Sequence, residues 1–368
     1  MNDYVIINTV SAYPEVPVPF EILKNNMSQF VDKVSNIKVD KKYLIVDKNN
    51  NKIKELLKEE AGILSDINME VIETDVKDGF VYSNATAVLK IIEDEKPIPS
   101  DIDKNLPVYS VEELLDFEEK TVFVDGDVSK KGLFTFNKET SVREIVSQCA
   151  SEDKFKGIYF GHPMGHLMGK EQFDEKIELN TDYIYIFDEG NCALDRLKDI
   201  VSRYEKETCG RCVFGYEGVT QINMILTDMI QKKGKPADIE LLLNLGKFMY
   251  KQSLCEVGMS VANTLLTALE NFRTEIEEHI TKKVCNAAVC QKFITYHVLP
   301  KLCTGCNECQ EHCKYDAILG KKNFIHVIEQ KECVQCGECL NICPEGAIVK
   351  AGVVKPKGPK RPIPRKKI

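Results

Sequence analysis

Eight of the fifteen cysteines fall into two runs with the same spacing, C-x-x-C-x-x-C-x-x-x-C. Two residues between cysteines let one tight loop direct three thiolates at three iron corners of a cubane, while the fourth cysteine of each run reaches across to a second cubane. The spacing therefore predicts two [4Fe-4S] clusters with interleaved ligands. The first set is Cys303, Cys306, Cys309 and Cys343, and the second set is Cys333, Cys336, Cys339 and Cys313.

The two runs are halves of an internal repeat. A short apolar step follows the fourth cysteine of each half, at Ala317-Ile318 and at Ala347-Ile348, and residues 324–328 have the composition of a strand. This arrangement predicts a bacterial-type 2×[4Fe-4S] ferredoxin domain at residues 301–350. Zinc is the alternative metal, but a zinc site uses four ligands rather than two interleaved sets. Disulfides are disfavoured because C-x-x-C spacing without a secretory leader is typical of metal or redox sites.

A second group of cysteines lies in a segment with helical periodicity. Between residues 194 and 280 apolar residues recur at helical spacing, which predicts a bundle of four helices. Two connections carry the motif E-T-C-G-R-C at residues 207–212, with Glu217-Gly218 behind it, and the motif S-L-C at residues 253–255. These motifs resemble those of the NuoF/HydB family, the NADH-oxidising flavoprotein subunits of bacterial complex I and of electron-bifurcating hydrogenases and formate dehydrogenases.

In that family the pattern E-S-C-G-x-C-x-x-C-R-E-G and a later S-L-C hold one [4Fe-4S] cluster through four cysteines. The resemblance implies a four-helix Fe-S domain at residues 191–284, but Gly215 stands here at the third cysteine position. Three thiolates are compatible with a cubane that has an open or non-cysteine iron, with a smaller cluster, or with an empty site. Cys209, Cys212 and Cys255 are therefore candidate ligands of a third cluster whose occupancy the sequence leaves open.

A separate set of ligands surrounds the end of the helical segment. The sequence C-N-A-A-V-C at residues 285–290 is similar to a C-P-A-G-V-C step that hydrogenase relatives have before their ferredoxin module, and we place it in a cysteine-containing linker at residues 285–300. Three thiols and one imidazole suit tetrahedral structural zinc. The predicted zinc ligands are Cys192, His279, Cys285 and Cys290, with His297 as a substitute for His279. The alternative is that some of these thiols are buried and inert.

Residues 119–190 have the pattern of paired strands and a capped helix. Residues 122–128 and 132–136 alternate as strands do, and Ser141 to Glu144 carries the S-x-x-E capping pattern. The segment resembles the ubiquitin-like β-grasp (SLBB) domain of the same family. The glycine-rich stretch that contains His162 and His166 is interpreted as an ordinary loop of that domain rather than a metal site.

Residues 1–118 correspond to the part of the family that holds flavin mononucleotide (FMN) and NADH. The relatives use a G-R-G-G-A-G-F loop there, because only glycine lets backbone N–H groups close around a phosphate. This stretch contains only Gly62 and Gly79, so such a cradle is not expected. A β-α step over residues 42–60 and family-like fragments at residues 79–87 and 109–114 predict a shrunken α/β domain. FMN and NAD are accordingly predicted to be absent.

Charge is distributed unevenly along the chain. The formal net charge is −8, yet the last fourteen residues carry seven basic side chains and no acidic one. We expect an acidic body without nucleic-acid affinity, and a basic, Pro-rich tail at residues 351–368 that lies on a partner; the alternative is a solvated, disordered tail. No apolar run approaches the ~20 residues of a membrane span, and the first residues have no signal-peptide pattern. The expected location is the cytoplasm.

Together these features predict an α+β multidomain protein with a reduced, degenerate FMN-type α/β domain, a β-grasp domain, a four-helix Fe-S domain and a ferredoxin domain. No nucleophile with an adjacent base, open zinc site or nucleotide fingerprint is evident, so no catalytic residue is assigned. The leading hypothesis is an electron-transfer subunit without its own flavin or NADH site. Its partners would be flavoprotein, hydrogenase or formate dehydrogenase subunits, or ferredoxin. The alternatives are a flavin-binding NAD(P)H oxidoreductase subunit with an atypical front domain, and a scaffold with structural clusters.

Overall fold

The computed structural model describes residues 4–76, 79–100 and 106–365 of the 368-residue chain. The chain divides into two compact units. The first contains Met1–Glu189, Leu197–Met224 and Glu240–Phe272, and the second contains Gly190–Arg196, Ile225–Ile239 and Arg273–Ile368. The helical region after residue 190 therefore contributes to both units.

The first unit begins with an α/β layer whose sheet is parallel. Its strand order is β3-β2-β1-β4, and each neighbouring pair runs in the same direction. The two central strands are apolar and buried over most of their length, as is typical of parallel sheets. The predicted β-α step over residues 42–60 is present. The elements are β1 (Tyr4–Asn8), α1 (Val18–Asn25), α2 (Met27–Ser35), β2 (Lys41–Asp47), α3 (Asn51–Glu59), α4 (Ala61–Asp66), β3 (Met69–Thr74), α5 (Ala85–Ile92), β4 (Val108–Ser110) and α6 (Val111–Leu115).

A mixed sheet follows in the same unit, with strand order β6-β5-β11-β8-β9. Strand β11 pairs parallel with β5 and antiparallel with β8. The predicted capped helix is present, because Ser141 and Glu144 form a reciprocal capping box at the start of α7. The β-grasp assignment of this segment stays a prediction. The elements are β5 (Glu119–Gly126), β6 (Gly132–Asn137), β7 (Glu139–Ser141), α7 (Val142–Cys149), β8 (Phe155–Phe160), β9 (His166–Gly169), β10 (Lys176–Glu178) and β11 (Tyr183–Asp188).

The helical region contains helices at the predicted places, with one difference. The last predicted helix is divided at Phe272, whose backbone leaves the helical region with φ −120°. The ring of Phe272 packs against Phe187 and lies over Gly157, where a larger residue would collide with it. This packing ends one helix and lets the next begin. The helices are α8 (Ala193–Glu207), α9 (Val219–Ile230), α10 (Ala237–Gln252), α11 (Glu256–Asn271) and α12 (Arg273–Thr281).

The C-terminal part of the second unit has a two-fold internal repeat. The backbone N–H of Leu299 donates to the carbonyl of Ala347, and the N–H of Glu329 donates to the carbonyl of Ala317, both at 2.7 Å. The apolar steps that follow the fourth cysteines are buried, as the repeat predicted. The elements are β12 (Thr295–Val298), α13 (Glu308–Glu311), β13 (Ile318–Leu319), β14 (Phe324–Ile325), β15 (Val327–Ile328), α14 (Glu338–Ile342), β16 (Ile348–Ala351) and β17 (Ile363–Pro364).

The basic tail pairs with its own chain at residues 363–365. Strand β17 is antiparallel to β14, with Ile363 opposite Ile325, and the N–H of Arg365 donates to the carbonyl of Asn323. The alternative of a solvated, disordered tail is therefore wrong for the paired residues, because β14 offers them a free edge within the same chain. The expectation that the tail lies on a partner stays a prediction. The end of the predicted tail, residues 366–368, falls outside the described part of the chain.

Among the helices of the described ranges, none combines the length and the apolar character needed to cross a membrane.

Candidate functional site

The two cysteine runs of the second unit form loops with matching backbone conformations. Left-handed residues occur at Gly305 and Asn307 in the first loop, and at Gln335 and Gly337 in the second. Each loop therefore needs two positive-φ positions, and glycine occupies a different one in each half. The built Cβ of Gly305 would lie 2.7 Å from the carbonyl oxygen of Phe324, so the first loop also needs glycine for its close approach to β14.

The second predicted ligand set lines one small apolar cavity. Its four cysteines come from both runs, and Tyr296 and Tyr315 lie at the same cavity. Burial raises the pKa of the Cys339 thiol to about 11, and the neighbouring thiols add to the increase. The cysteines that share the cavity are Cys313, Cys333, Cys336 and Cys339.

The first ligand set shows the reciprocal arrangement. Burial raises the pKa of Cys309 to about 12, and the thiols of Cys303, Cys306 and Cys343, followed by that of Cys339 from the second set, add to this increase. Cys343 belongs to the second run in sequence but lies with the first run in space. Clustered thiols that resist ionisation on their own become thiolates when a metal binds them.

A histidine that the sequence did not single out lies beside the first set. The His326 ring is 1% exposed, and its Nδ1 lies 3.9 Å from the sulfur of Cys303 while Nε2 lies 3.0 Å from Asn307 Oδ1. Burial lowers the pKa of His326, so its neutral form is favoured. Gly320 makes room for the ring, because a Cβ there would come within 2.2 Å of it. A lone histidine between two short strands carries no recognisable motif.

The three-cysteine site lies in the first unit. Cys209 and Cys212 follow α8, and Phe214–Gly218 then form one turn of π-helix. Cys255 is the N-cap of α11, and its side chain makes no capping hydrogen bond. Burial raises the pKa of Cys255 to about 11, and the nearby Cys209 thiol contributes to the increase.

Gly215 lies between these cysteines. Its N–H donates to Cys212 Sγ at 3.2 Å, and its carbonyl accepts a hydrogen bond of 2.9 Å from the Thr208 hydroxyl. The Cα of Gly215 also lies 3.5 Å from where a Cβ of Gly258 would stand, so the π-helical turn packs closely on the start of α11. The predicted ligands Cys209, Cys212 and Cys255 are thus brought to one place, with glycine among them.

The predicted zinc ligands converge within the second unit. The Cys192 sulfur lies 3.3 Å from His279 Nε2, and the Cys290 sulfur lies 3.6 Å from each of these atoms. With Cys285 included, all four ligand atoms lie within 4.8 Å of one another, and the four residues are buried. Within the described ranges, this is the one group of histidine, cysteine and carboxylate ligands that converges so closely.

The surroundings fix the orientation of the His279 ring. Its Nδ1 lies 2.8 Å from the carbonyl oxygen of Glu275, so Nδ1–H donates and the Nε2 lone pair faces the thiols. Hydrogen bonds from the Cys192 and Cys290 thiols lower the pKa of Cys285, and the hydrogen bonds that Cys192 makes with Cys285 and Cys290 raise the pKa of Cys192. His297, the predicted substitute, lies outside this group, on β12, where Nε2 is 2.8 Å from the Thr295 hydroxyl.

Aromatic side chains fill the interior of the first unit beside the 3-10 turn Gly79–Ser83. Phe80 is fully buried, with its ring centroid 5.0 Å from that of His162 and 4.7 Å from that of Tyr204. A Cβ on Gly79 would lie 2.8 Å from the carbonyl oxygen of Ala12, so this glycine serves close packing. His162 and His166 do not join the group of converging metal ligands among the described residues. The interpretation of this stretch as a loop is wrong for His166, which begins strand β9.

Two protein families match separate parts of the chain. The NADH-ubiquinone oxidoreductase-F iron-sulfur binding region matches residues 195–279, and the 4Fe-4S dicluster domain matches residues 302–348. The first match includes Cys209, Cys212 and Cys255, and the second includes both cysteine runs.

Curated relatives are similar over part of their length. The HndC subunit of the NADP-reducing hydrogenase of Solidesulfovibrio fructosivorans is 28% identical over 221 residues, which cover 56% of this chain and 45% of that protein. The F 2 subunit of the NADH-quinone oxidoreductase of Rhizobium meliloti is 27% identical over 180 residues, which cover 45% of this chain and 43% of that protein. The chain thus spans less than half the length of these relatives.

A solved structure shares the fold. It is the crystal structure of an NAD+-reducing [NiFe]-hydrogenase in the H2-reduced state, and the match covers 76% of this chain and 57% of that chain with a TM-score of 0.66 and 16% identity. At this identity the likeness shows the fold alone. The iron–sulfur region, the dicluster domain and the relatives together make this chain similar to the NuoF- and HndC-type subunits of NADH-quinone oxidoreductases and NADP-reducing hydrogenase.

Proposed function

We propose that the chain is an iron–sulfur electron-transfer subunit of a multi-subunit redox complex of the NADH dehydrogenase, hydrogenase or formate dehydrogenase type. It relays electrons between partner subunits without a flavin or NADH site of its own. The interleaving of two thiol sets carries this proposal, since Cys343 lies with the first run and Cys313 with the second. The names of the hydrogenase and NADH-quinone oxidoreductase relatives support the choice of complex.

The residues of the module hold the clusters and leave part of each site accessible. Two [4Fe-4S] clusters, when bound, each take up and release one electron at a time. Cys306 and Cys336 are exposed, so one ligand of each set is open to a partner surface. Ile318 and Ile328 are buried at the second set and keep water away from it. The first cluster takes Cys303, Cys306, Cys309 and Cys343, and the second takes Cys313, Cys333, Cys336 and Cys339.

A structural zinc ion belongs to the same proposal. Tetrahedral zinc separates two bound sulfurs by about 3.8 Å and a sulfur from an imidazole nitrogen by about 3.6 Å. Cys192 and Cys290 have their sulfurs 3.6 Å apart, and His279 Nε2 is 3.3 Å and 3.6 Å from them. The match in ligand type and spacing favours zinc over a set of inert thiols, and the backbone acceptor of His279 Nδ1 supplies the usual second partner of a zinc-bound histidine.

The absence of flavin is also part of the proposal. A phosphate cradle needs successive glycines, whereas Gly62 lies inside α4 and Gly79 packs against Ala12. Phe80 and Tyr204, together with His162, occupy buried space beside the turn that resembles a family motif. These observations favour a front domain in which packed side chains, rather than a bound cofactor, fill the interior beside this turn.

The test uses the full chain after anaerobic iron–sulfur reconstitution. We expect no flavin fluorescence, and EPR spectra after dithionite reduction that show two interacting cubanes. Cys313→Ser and Cys343→Ser should each perturb one cubane and remove the interaction. Stoichiometric flavin would contradict the flavin-free relay, and clusters that dithionite cannot reduce would point instead to a scaffold. Copurification from the native host would identify the partner subunits.

A further inference from the structure

The glycine in the three-cysteine site faces the neighbouring thiol. A Cβ built on Gly215 would lie 2.7 Å from Cys212 Sγ, and beyond the glycine's own turn no other atom of the described chain lies within 4 Å of it. The direction in which a fourth cysteine would project therefore points towards the Cys212 thiol. Within 4 Å of that Cβ, the described chain supplies no carboxylate or imidazole from another segment.

Backbone features favour a thiolate at two of the three remaining cysteines, Cys212 and Cys255. The Gly215 N–H donates to the Cys212 sulfur at 3.2 Å, and Cys255 is the N-cap of α11. Such donors stabilise thiolates, and α11 adds the positive end of a helix of sixteen residues. The iron-sulfur binding region of the F-type family covers all three cysteines, which supports their assignment as ligands.

We propose that Cys209, Cys212 and Cys255 hold a third [4Fe-4S] cluster and that the iron facing Gly215 takes its fourth ligand from outside the chain. That ligand is a small donor such as water, hydroxide or a free thiolate. This inference deepens the proposed function at a site separate from the ferredoxin module. In a four-cysteine site each iron has a cysteine ligand, whereas here one iron has a coordination position open to an external ligand.

An iron with a non-protein ligand is more easily lost than one held by cysteine. With ferricyanide as the oxidant, one [4Fe-4S]2+ cluster becomes [3Fe-4S]+, one iron leaves as Fe2+, and one electron passes to ferricyanide. The two ferredoxin-type clusters, each with four cysteines, should resist this conversion under mild oxidation. The chain should therefore produce about one [3Fe-4S] cluster per molecule.

Gly215→Cys and Gly215→Ala form a matched pair for the test. Both add a Cβ at a position where the contact is the movable end of Cys212, but one of them also supplies a thiol. After reconstitution of the full chain, we expect about twelve irons in the wild type and about eight in a Cys209→Ser variant. Brief ferricyanide oxidation should give the [3Fe-4S]+ EPR signal in the wild type and in Gly215→Ala, and a signal reduced at least fivefold in Gly215→Cys.

Cyanide serves as a second probe of the open iron. Added to the dithionite-reduced protein, it should shift the EPR signal of the third cluster in the wild type and leave Gly215→Cys unchanged. About eight irons in the wild type, or equal [3Fe-4S] signals in the two variants, would overturn the inference. The interacting signals of the ferredoxin clusters are read in the same samples, so failure of the third site is distinguished from failure of the relay.

The Ser253 hydroxyl is a side chain of this chain that could occupy the fourth ligand position, and a further variant tests it. Its oxygen is buried without a hydrogen-bond partner among the described residues and lies beside Gly258. Ser253→Ala should leave the cyanide shift and the yield of [3Fe-4S] unchanged. If the wild-type cluster reacted with neither ferricyanide nor cyanide, and the Ser253→Ala cluster reacted with both, Ser253 would be the fourth ligand. That result would also overturn the inference.

Discussion

The side-chain amide of Asn84 donates a hydrogen bond of 2.7 Å to the carboxylate of Glu256, the residue that follows Cys255. Asn84 is also the N-cap of α5, where its Oδ1 accepts from the N–H groups of Thr86 and Ala87. One side chain therefore begins a helix of the α/β layer and anchors the helix that carries a cysteine of the three-cysteine site.

Replacing Asn84 separates these two roles. Asn84→Ala loses the cap and the bond to a charged group, and should lower the free energy of unfolding by about 2 kcal/mol. Asn84→Ser retains a capping oxygen but has no amide to reach Glu256, and should lose about 1 kcal/mol. Urea denaturation followed by circular dichroism measures both. Equal losses in the two variants would show that the cap contributes nothing, and a wild-type stability in Asn84→Ser would show that the bond to Glu256 contributes nothing.

The zinc proposal predicts a sharp contrast between two histidines. His279→Ala removes a buried ligand, and the protein should fall from about one bound zinc to none, with a loss of several kcal/mol in the stability of the second unit. His297→Ala is the control, because His297 lies outside the ligand group and contacts Thr295. Elemental analysis of the purified proteins decides the matter. Full zinc content in His279→Ala would exclude the proposed site.

The buried His162 predicts a dependence of stability on pH. Burial lowers the pKa of this imidazole to about 3, whereas the unfolded chain binds the proton near 6.5. Between about pH 6.5 and pH 3 the unfolded state binds more protons at this imidazole than the folded state does. The free energy of unfolding therefore falls as the pH decreases from about 6.5 towards 3. The free energy of unfolding should decrease by about 2 kcal/mol between pH 7 and pH 5.

His162→Gln provides the comparison for this pH effect. A glutamine cannot take up the proton, so its unfolding free energy should change less between pH 7 and pH 5 than that of the wild type. The variant should retain a polar group able to reach Ser83, whose hydroxyl lies 2.8 Å from the His162 Nε2. Parallel pH profiles in the two proteins would mean that other groups cause the acid sensitivity.

The paired basic tail predicts an effect on reduction potential. Positive charge near a cluster favours the reduced, more negative state, so neutralising Lys360, Arg361 and Arg365 to glutamine should lower the potential of the first cluster. These groups are largely solvated, and the shift should be on the order of tens of millivolts and shrink at high salt. EPR-monitored redox titration measures it. An unchanged potential at low salt would show that the tail has no electrostatic role.

Sequence reasoning performed best where ligand spacing determines geometry. The spacing of the two runs predicted that Cys343 lies with the first run and Cys313 with the second. The sequence also grouped Cys192 with His279, Cys285 and Cys290, although Cys192 is far from them along the chain. It did not anticipate the path of the tail, because pairing with β14 depends on an available strand edge rather than on residue type. His326 likewise acquires its place through tertiary packing.

The distance along the chain between two members of the zinc set has its own consequence. Cys192 and His279 are 87 residues apart, so a metal bound to both would close a loop that contains the entire three-cysteine site. A cross-link over a loop of this length removes about 4 to 5 kcal/mol of conformational entropy from the unfolded chain in the loop-closure description. Zinc bound before the chain is fully folded would thus reduce the number of conformations that keep Cys209 and Cys255 apart. This would favour an order of assembly in which zinc binds before iron and sulfide.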